Sequence, residues 1–289
     1  MLDAFAIAAP TRPLLSEPWS WEPALVLPLA LLVTVYAVGA GRRGGARELR
    51  WRHGSFAAGW LTLVFALCSP LHALGEDLFS AHMLQHEVLI LVSAPLLSGA
   101  HPGATMLWAL PPVYRRRLGG WTHAAEQRLR FFTRPLTAWL LEAAALWLWH
   151  IPALYQATLR SDVVHAAQHL SFLGTAVLFW SALYGVGRPA MSYGAGTLYT
   201  FGTAAHCSAL GALLTFSQVL WYPAYAHSTQ AFGLTALEDQ QLGGAIMWVP
   251  SAITFLAISL VLFARWLRES DRRLAHTALA AALVKGERP

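Results

Sequence analysis

Two pairs of histidines stand four residues apart in otherwise apolar sequence: His82 and His86 in Ser80-Ala81-His82-Met83-Leu84-Gln85-His86, and His165 and His169 in Val164-His165-Ala166-Ala167-Gln168-His169. On a helix, positions i and i+4 lie one turn apart on one face, so each pair can aim two imidazole nitrogens at a single point. Imidazole suits zinc, copper, iron and nickel, and thioether or thiolate shifts the preference toward copper(I). Met83, Met247 and the Cys68/His72 pair supply soft donors for such a site. The chemistry written into these residues is metal binding. Phosphate-binding glycine loops and the G-x-S-x-G nucleophile pattern are absent, and His82-x3-His86 lacks the glutamate of a zincin.

The elements that carry these histidines are membrane helices. Of 289 residues only 12% are charged while 56% are apolar, and 13 are tryptophan; mean hydropathy is +0.46. A soluble domain needs about twice that charge on its surface. A span takes about 20 mostly apolar residues, and the sequence predicts seven of them, over 22–40, 55–75, 80–100, 135–153, 163–186, 195–221 and 239–267. Residues 111–130 read as an amphipathic interfacial helix. The expected organisation is an external tail over 1–21, an all-α seven-helix domain over 22–267, and a basic cytoplasmic tail over 268–289.

Basic residues fix the expected orientation. Eighteen of the 20 fall in the loops after the first, third, fifth and seventh spans, leaving Arg12 and Arg160 on the other side. Positive loops stay cytoplasmic, which puts the N-terminus outside and the C-terminus inside the cytoplasmic membrane. The net charge of +5 is therefore topological and does not imply nucleic acid. Both cysteines lie in apolar runs, so no disulfide framework is expected.

This topology sorts the 12 histidines by depth. His82, His86, His165 and His169 open spans that enter from outside, and His150 closes one that arrives there. They are the expected metal ligands, His150 as the fifth. Asp239 and Gln240 open the last span in the same layer, and with Gln85 and Gln168 they are expected to orient imidazole N–H groups from behind. His72, His101, His123, His227 and His276 read as polar interfacial caps. His206, about 20 Å below the outer surface at 1.5 Å per residue, reads as a satisfied core histidine. Glu87 and Glu142 are costly inside a span and are expected to pair with histidine or stay protonated.

Several segments carry a family resemblance. Ser80 to His86, followed by Pro95-Leu96-Leu97 and Gly99-x-x-Pro102, resembles the signature of the CtaG family of seven-helix cytochrome c oxidase assembly factors. His150-Ile151-Pro152-Ala153-Leu154-Tyr155, the His165/His169 segment, and Asp239-Gln240-Gln241-x-Gly243-Gly244-x-x-Met247-Trp248 are similar in the same order. The resemblance implies a non-enzymatic role in supplying copper to a haem–copper oxidase. Its implied partners are oxidase subunits within the bilayer, with a periplasmic copper chaperone as a further candidate. Copper is the expected metal; imidazole spacing alone leaves zinc and haem open. Two alternatives are a haem b electron carrier, with His86 and His169 as axial ligands, and a copper or proton transporter using Glu87, Glu142 and His206. A Soret band or ion flux into liposomes would distinguish them.

Overall fold

The computed structural model describes residues 19–44, 47–116, 131–187 and 191–284, without the side chains of 47–48 and 278–284. Among the described residues every regular element is helical. They are α1 (Pro23–Arg43), α2 (Arg47–Cys68), α3 (Pro70–Asp77), α4 (Phe79–Ala100), α5 (Pro102–Met106), α6 (Pro135–Trp149), α7 (Pro152–Thr158), α8 (Asp162–Tyr184), α9 (Tyr193–Thr215) and α10 (Ala236–Val284). Proline opens α1, α3, α6 and α7, where its missing N–H would have had no helical partner anyway. Gly185, at φ 69°, closes α8.

Among the described residues four helices are long and apolar enough to cross a membrane: α1, α4, α8 and α10, the last over Ala236–Thr277. A fifth span results if α2 and α3, bent by 43° between them, count as one. The break has a local cause. Pro70 cannot donate to the preceding turn, and Ser69 caps a new helix by accepting from the Leu71 amide. The two remaining expected spans fall short for different reasons. α6 has only 15 residues before the extended Ile151-Pro152 step. α9 has 23 residues, but its buried face includes Gly196, Thr200, Thr203 and Gly211, small or polar groups that lower its hydropathy.

Side-chain contacts fix the relative directions of these rods. α4 and α8 run parallel, with His82 beside Gln168 and Ile90 beside Trp180. α2 runs against α4, joined by the Ser55 hydroxyl and the Leu96 carbonyl. α9 runs against α8, through Tyr199 and Phe179, and against α10, through Thr197 and Ser259. α9 and α10 touch backbone to backbone: a Cβ on Gly244 would lie 2.7 Å from the Thr215 amide nitrogen. Small residues permit this approach in a membrane setting, where packing rather than the hydrophobic effect holds helices together.

α4 contains a π-helical segment, Val88–Ser93. Pro95 explains it. The π pattern would direct the N–H of residue 95 at the Ile90 carbonyl, but proline has none; the Trp180 indole donates to that carbonyl instead, at 2.9 Å. α10 continues as one helix through the expected tail as far as Val284, with an exposed Glu269–Arg273 pair at 3.0 Å. Of the expected interfacial helix, residues 112–116 are helical and 117–130 lie outside the described residues.

Candidate metal centre

Five histidines converge where α3, α4 and α8 meet. Ring centroids are 4.4 Å apart for His82 and His86, 4.3 Å for His165 and His169, 5.0 Å for His82 and His165, and 5.3 Å for His86 and His169. Two trios have ligand-capable atoms all within 4.8 Å of one another: His82, His86 and His169, and His72, His165 and His169. The i, i+4 pairs on α4 and α8 thus face each other across one space, because those helices are parallel.

Hydrogen bonding separates the two trios. Gln85 donates one amide hydrogen to the Ala66 carbonyl at 2.7 Å and the other to Nδ1 of His72 at 3.0 Å. A carbonyl only accepts, so the orientation of Gln85 is fixed and Nδ1 of His72 must be the acceptor. His72 then carries its proton on Nε2 and enters the cluster as a donor. His82 is held differently. Its Nδ1 lies 3.3 Å from the Gly75 carbonyl and its Nε2 3.2 Å from Oε1 of Gln168; both oxygens accept only, so the neutral ring donates to one of them at a time. A backbone carbonyl on Nδ1 is a common preparation of a metal-ligating histidine, whose Nε2 would then exchange Gln168 for the metal.

His86 is the most telling member. It is 3% exposed, and neither ring nitrogen has a hydrogen-bond partner. Nε2 of His165, Nε2 of His169 and Nε2 of Gln168 are also buried without partners. Buried polar atoms are nearly always satisfied, and here one ring nitrogen of His86 and one of His169 lie within 4.8 Å of each other and of a His82 nitrogen. The donor set of His82, His86 and His169, three nitrogens on two rigid helices, fits a borderline transition metal.

The Gly75 carbonyl that orients His82 is itself held. Tyr225 donates to it at 2.9 Å, and Tyr155 lies 3.0 Å from the Tyr225 oxygen. Because the carbonyl accepts only, the direction runs from Tyr155 to Tyr225 to Gly75. Burial raises both phenols well above their ordinary pKa, so they remain protonated donors. Gly75 packs closely on the same turn: a Cβ there would sit 3.3 Å from the His82 Cα.

The other expected site residues lie near this cluster but act differently. His150 is buried with Nδ1 on the Leu146 carbonyl at 2.6 Å and Nε2 3.4 Å from the Met83 sulfur; it stands outside both trios. Asp239 touches no imidazole. It accepts from the backbone amides of Phe79, at 2.6 Å, and Ser80, at 3.2 Å, and from the Ser80 hydroxyl, and so caps α4 from a residue 160 positions away. Leu78, the local N-cap residue, supplies no side-chain bond. Gln240 ties down the loop before α10, accepting from the Trp221 amide at 2.6 Å and donating to the Val219 carbonyl at 3.1 Å. His72, expected as a surface cap, is instead part of the cluster. Asp239→Ala leaves two buried amides at the start of α4 unpaired, an expected loss of about 2–6 kcal/mol at about 1–3 kcal/mol each. A lowered thermal unfolding midpoint in detergent is the measurement.

An apolar groove of about 340 Å³ between α1, α2 and α8 reaches this cluster. Leu25, Pro28, Leu29, Leu63 and Leu173 line it, with His169 in its wall.

The class is therefore an all-helical protein with several membrane-length helices and a buried histidine cluster between them. The chain belongs to the cytochrome c oxidase caa3 assembly factor family (Caa3_CtaG), whose sequence pattern matches residues 34–269. It is 28% identical over 251 residues to uncharacterized proteins of Mycobacterium bovis and Mycobacterium tuberculosis, covering 81% of this chain and 38% of each relative. An uncharacterized protein of Mycobacterium leprae is 25% identical over 258 residues, covering 83% of this chain and 39% of that protein. The chain thus spans about two fifths of the length of these curated relatives. No solved structure matches it.

Proposed function

We propose that this protein holds a copper ion between His82, His86 and His169 and passes it to a haem–copper oxidase during assembly. The observation that carries the reading is His86, a fully enclosed imidazole with two unpartnered nitrogens beside two further ring nitrogens of matching reach. His165 and His72 flank the trio, and the Gly75 carbonyl and Gln168 hold His82 in place.

A seven-span arrangement in the cytoplasmic membrane, N-terminus outside, fits the alternating helix directions. It also fits Arg42 and Arg43 at the end of α1 meeting Ala109 and Thr105 beyond the end of α4, at one basic face. The histidines then sit near the opposite, outer face. Membership of an oxidase assembly family supports copper over zinc, since copper is the metal such an oxidase takes up with its haem. The haem reading is weaker: His86 and His169, the axial pair it needs, meet edge to face at 5.3 Å with no plane between them for a macrocycle.

Deletion of the gene tests the role. Oxidase activity falls and recovers when copper is added in excess; lost activity with normal haem and no recovery would rule out metal supply in favour of a scaffold.

A further inference from the structure

Deeper in the bundle a second group of donors is assembled from helices that do not contribute to the histidine cluster. Glu142 lies on α6, eight residues before His150 and so about 12 Å further along the helix axis. His206 and Cys207 lie on α9. One carboxylate oxygen, one ring nitrogen and the sulfur all fall within 4.8 Å of one another.

The bonding of this trio is incomplete. Oε2 of Glu142 and Nε2 of His206 are 3.4 Å apart, yet neither makes a hydrogen bond, and both atoms are fully enclosed. Glu142 is 6% exposed and Cys207 5%. A carboxylate and an imidazole this close, buried and misaligned, forgo the hydrogen bond that would offset their desolvation. The separation matches two ligands on one ion: donors about 2.0–2.1 Å from a tetrahedral metal are about 3.4 Å from each other. The Cys207 sulfur stands 3.9 Å from the other ring nitrogen of His206. Trp139 closes the site edge-on against the imidazole, with centroids 5.3 Å apart.

We infer that Glu142, His206 and Cys207 form a second metal site, distinct from the histidine cluster, that takes a divalent thiophilic transition-metal ion. Charge balance selects the class. Carboxylate and thiolate together carry two negative charges, which a divalent cation neutralises, and a neutral assembly is the form least penalised inside a membrane. The thiolate forms as the metal displaces the thiol proton. Nothing in this inference depends on copper at the outer cluster.

The test uses the full chain in mild detergent, stripped with chelator and reloaded with zinc alone. Two zinc ions per chain are expected for the wild type, one for Cys207→Ser, and one for the His82→Ala/His86→Ala double variant. Cobalt(II) loading gives an independent reading, since only the inner site can produce a near-ultraviolet thiolate-to-cobalt band. The band is expected in the wild type, in the double variant and in Cys68→Ser, and it disappears in Cys207→Ser. Wild-type protein without the band, or a Cys207→Ser variant that keeps both the band and two zinc ions, overturns the second site. Loss of one equivalent only in the double variant would leave the outer reading intact and remove this one.

Discussion

Replacing His86 by alanine is expected to cost the purified protein its copper, with affinity falling by more than the 10- to 100-fold that loss of an outer-shell partner typically causes. Its two unpartnered nitrogens are available to nothing else on the protein, so their removal takes a ligand without breaking an existing hydrogen bond. The fold should survive, although the cavity left beside Phe172 lowers the unfolding midpoint. His150→Ala is the informative contrast. Its ring already serves the Leu146 carbonyl and packs beside Met83, so this variant is expected to retain copper and lose stability. Copper per chain by elemental analysis, alongside thermal unfolding of both variants, separates the roles. Copper retained in His86→Ala would remove the site.

A larger structural effect is expected from one methyl-bearing side chain between α4 and α10. A Cβ on Gly243 would overlap the Phe79 ring and lie 3.2 Å from the Ser80 Cα. The same turn of α4 is the one Asp239 caps. Gly243→Val therefore forces apart two helices at the point where the His82/His86 segment begins. Overpacking costs typically about 1–3 kcal/mol, and here the cap is strained as well. Loss of monodisperse protein in size-exclusion chromatography, or a much lower unfolding midpoint, is the expected result. Gly174→Ala on α8 is the control, since its Cβ meets nothing within 4 Å. It should be neutral or slightly stabilising, as alanine is the better helix former.

The four histidines of the two i, i+4 pairs were legible because helical spacing alone determines which residues share a face, and an apolar run identifies the helix. Parallel entry of α4 and α8 then brings the pairs together. His72 could not be read this way. It joins the cluster only because the chain breaks at Ser69-Pro70 and folds α3 against α4, a tertiary event that spacing does not encode. Asp239 and Gln240 were placed in the right layer, but their partners are backbone amides and a carbonyl, and polar residue type does not distinguish those from imidazole. Hydropathy found the helices that are long and apolar enough to cross a membrane. α6, which ends ahead of Pro152, and α9, whose glycines and threonines serve close packing inside the bundle, do not reach the length or hydropathy of those helices. The pairing of Glu142 with His206 depends on how α6 meets α9, and no local pattern announces it.

The groove beside His169 bears on how an ion could leave. A hydrated cation would have to shed its water among Leu25, Leu29, Leu63 and Leu173 with no oxygen or nitrogen to replace it, a prohibitive desolvation. Free diffusion along that side is closed. Copper held as proposed would leave along this side only by direct exchange, one bond forming on a recipient's side chain as another breaks at His169.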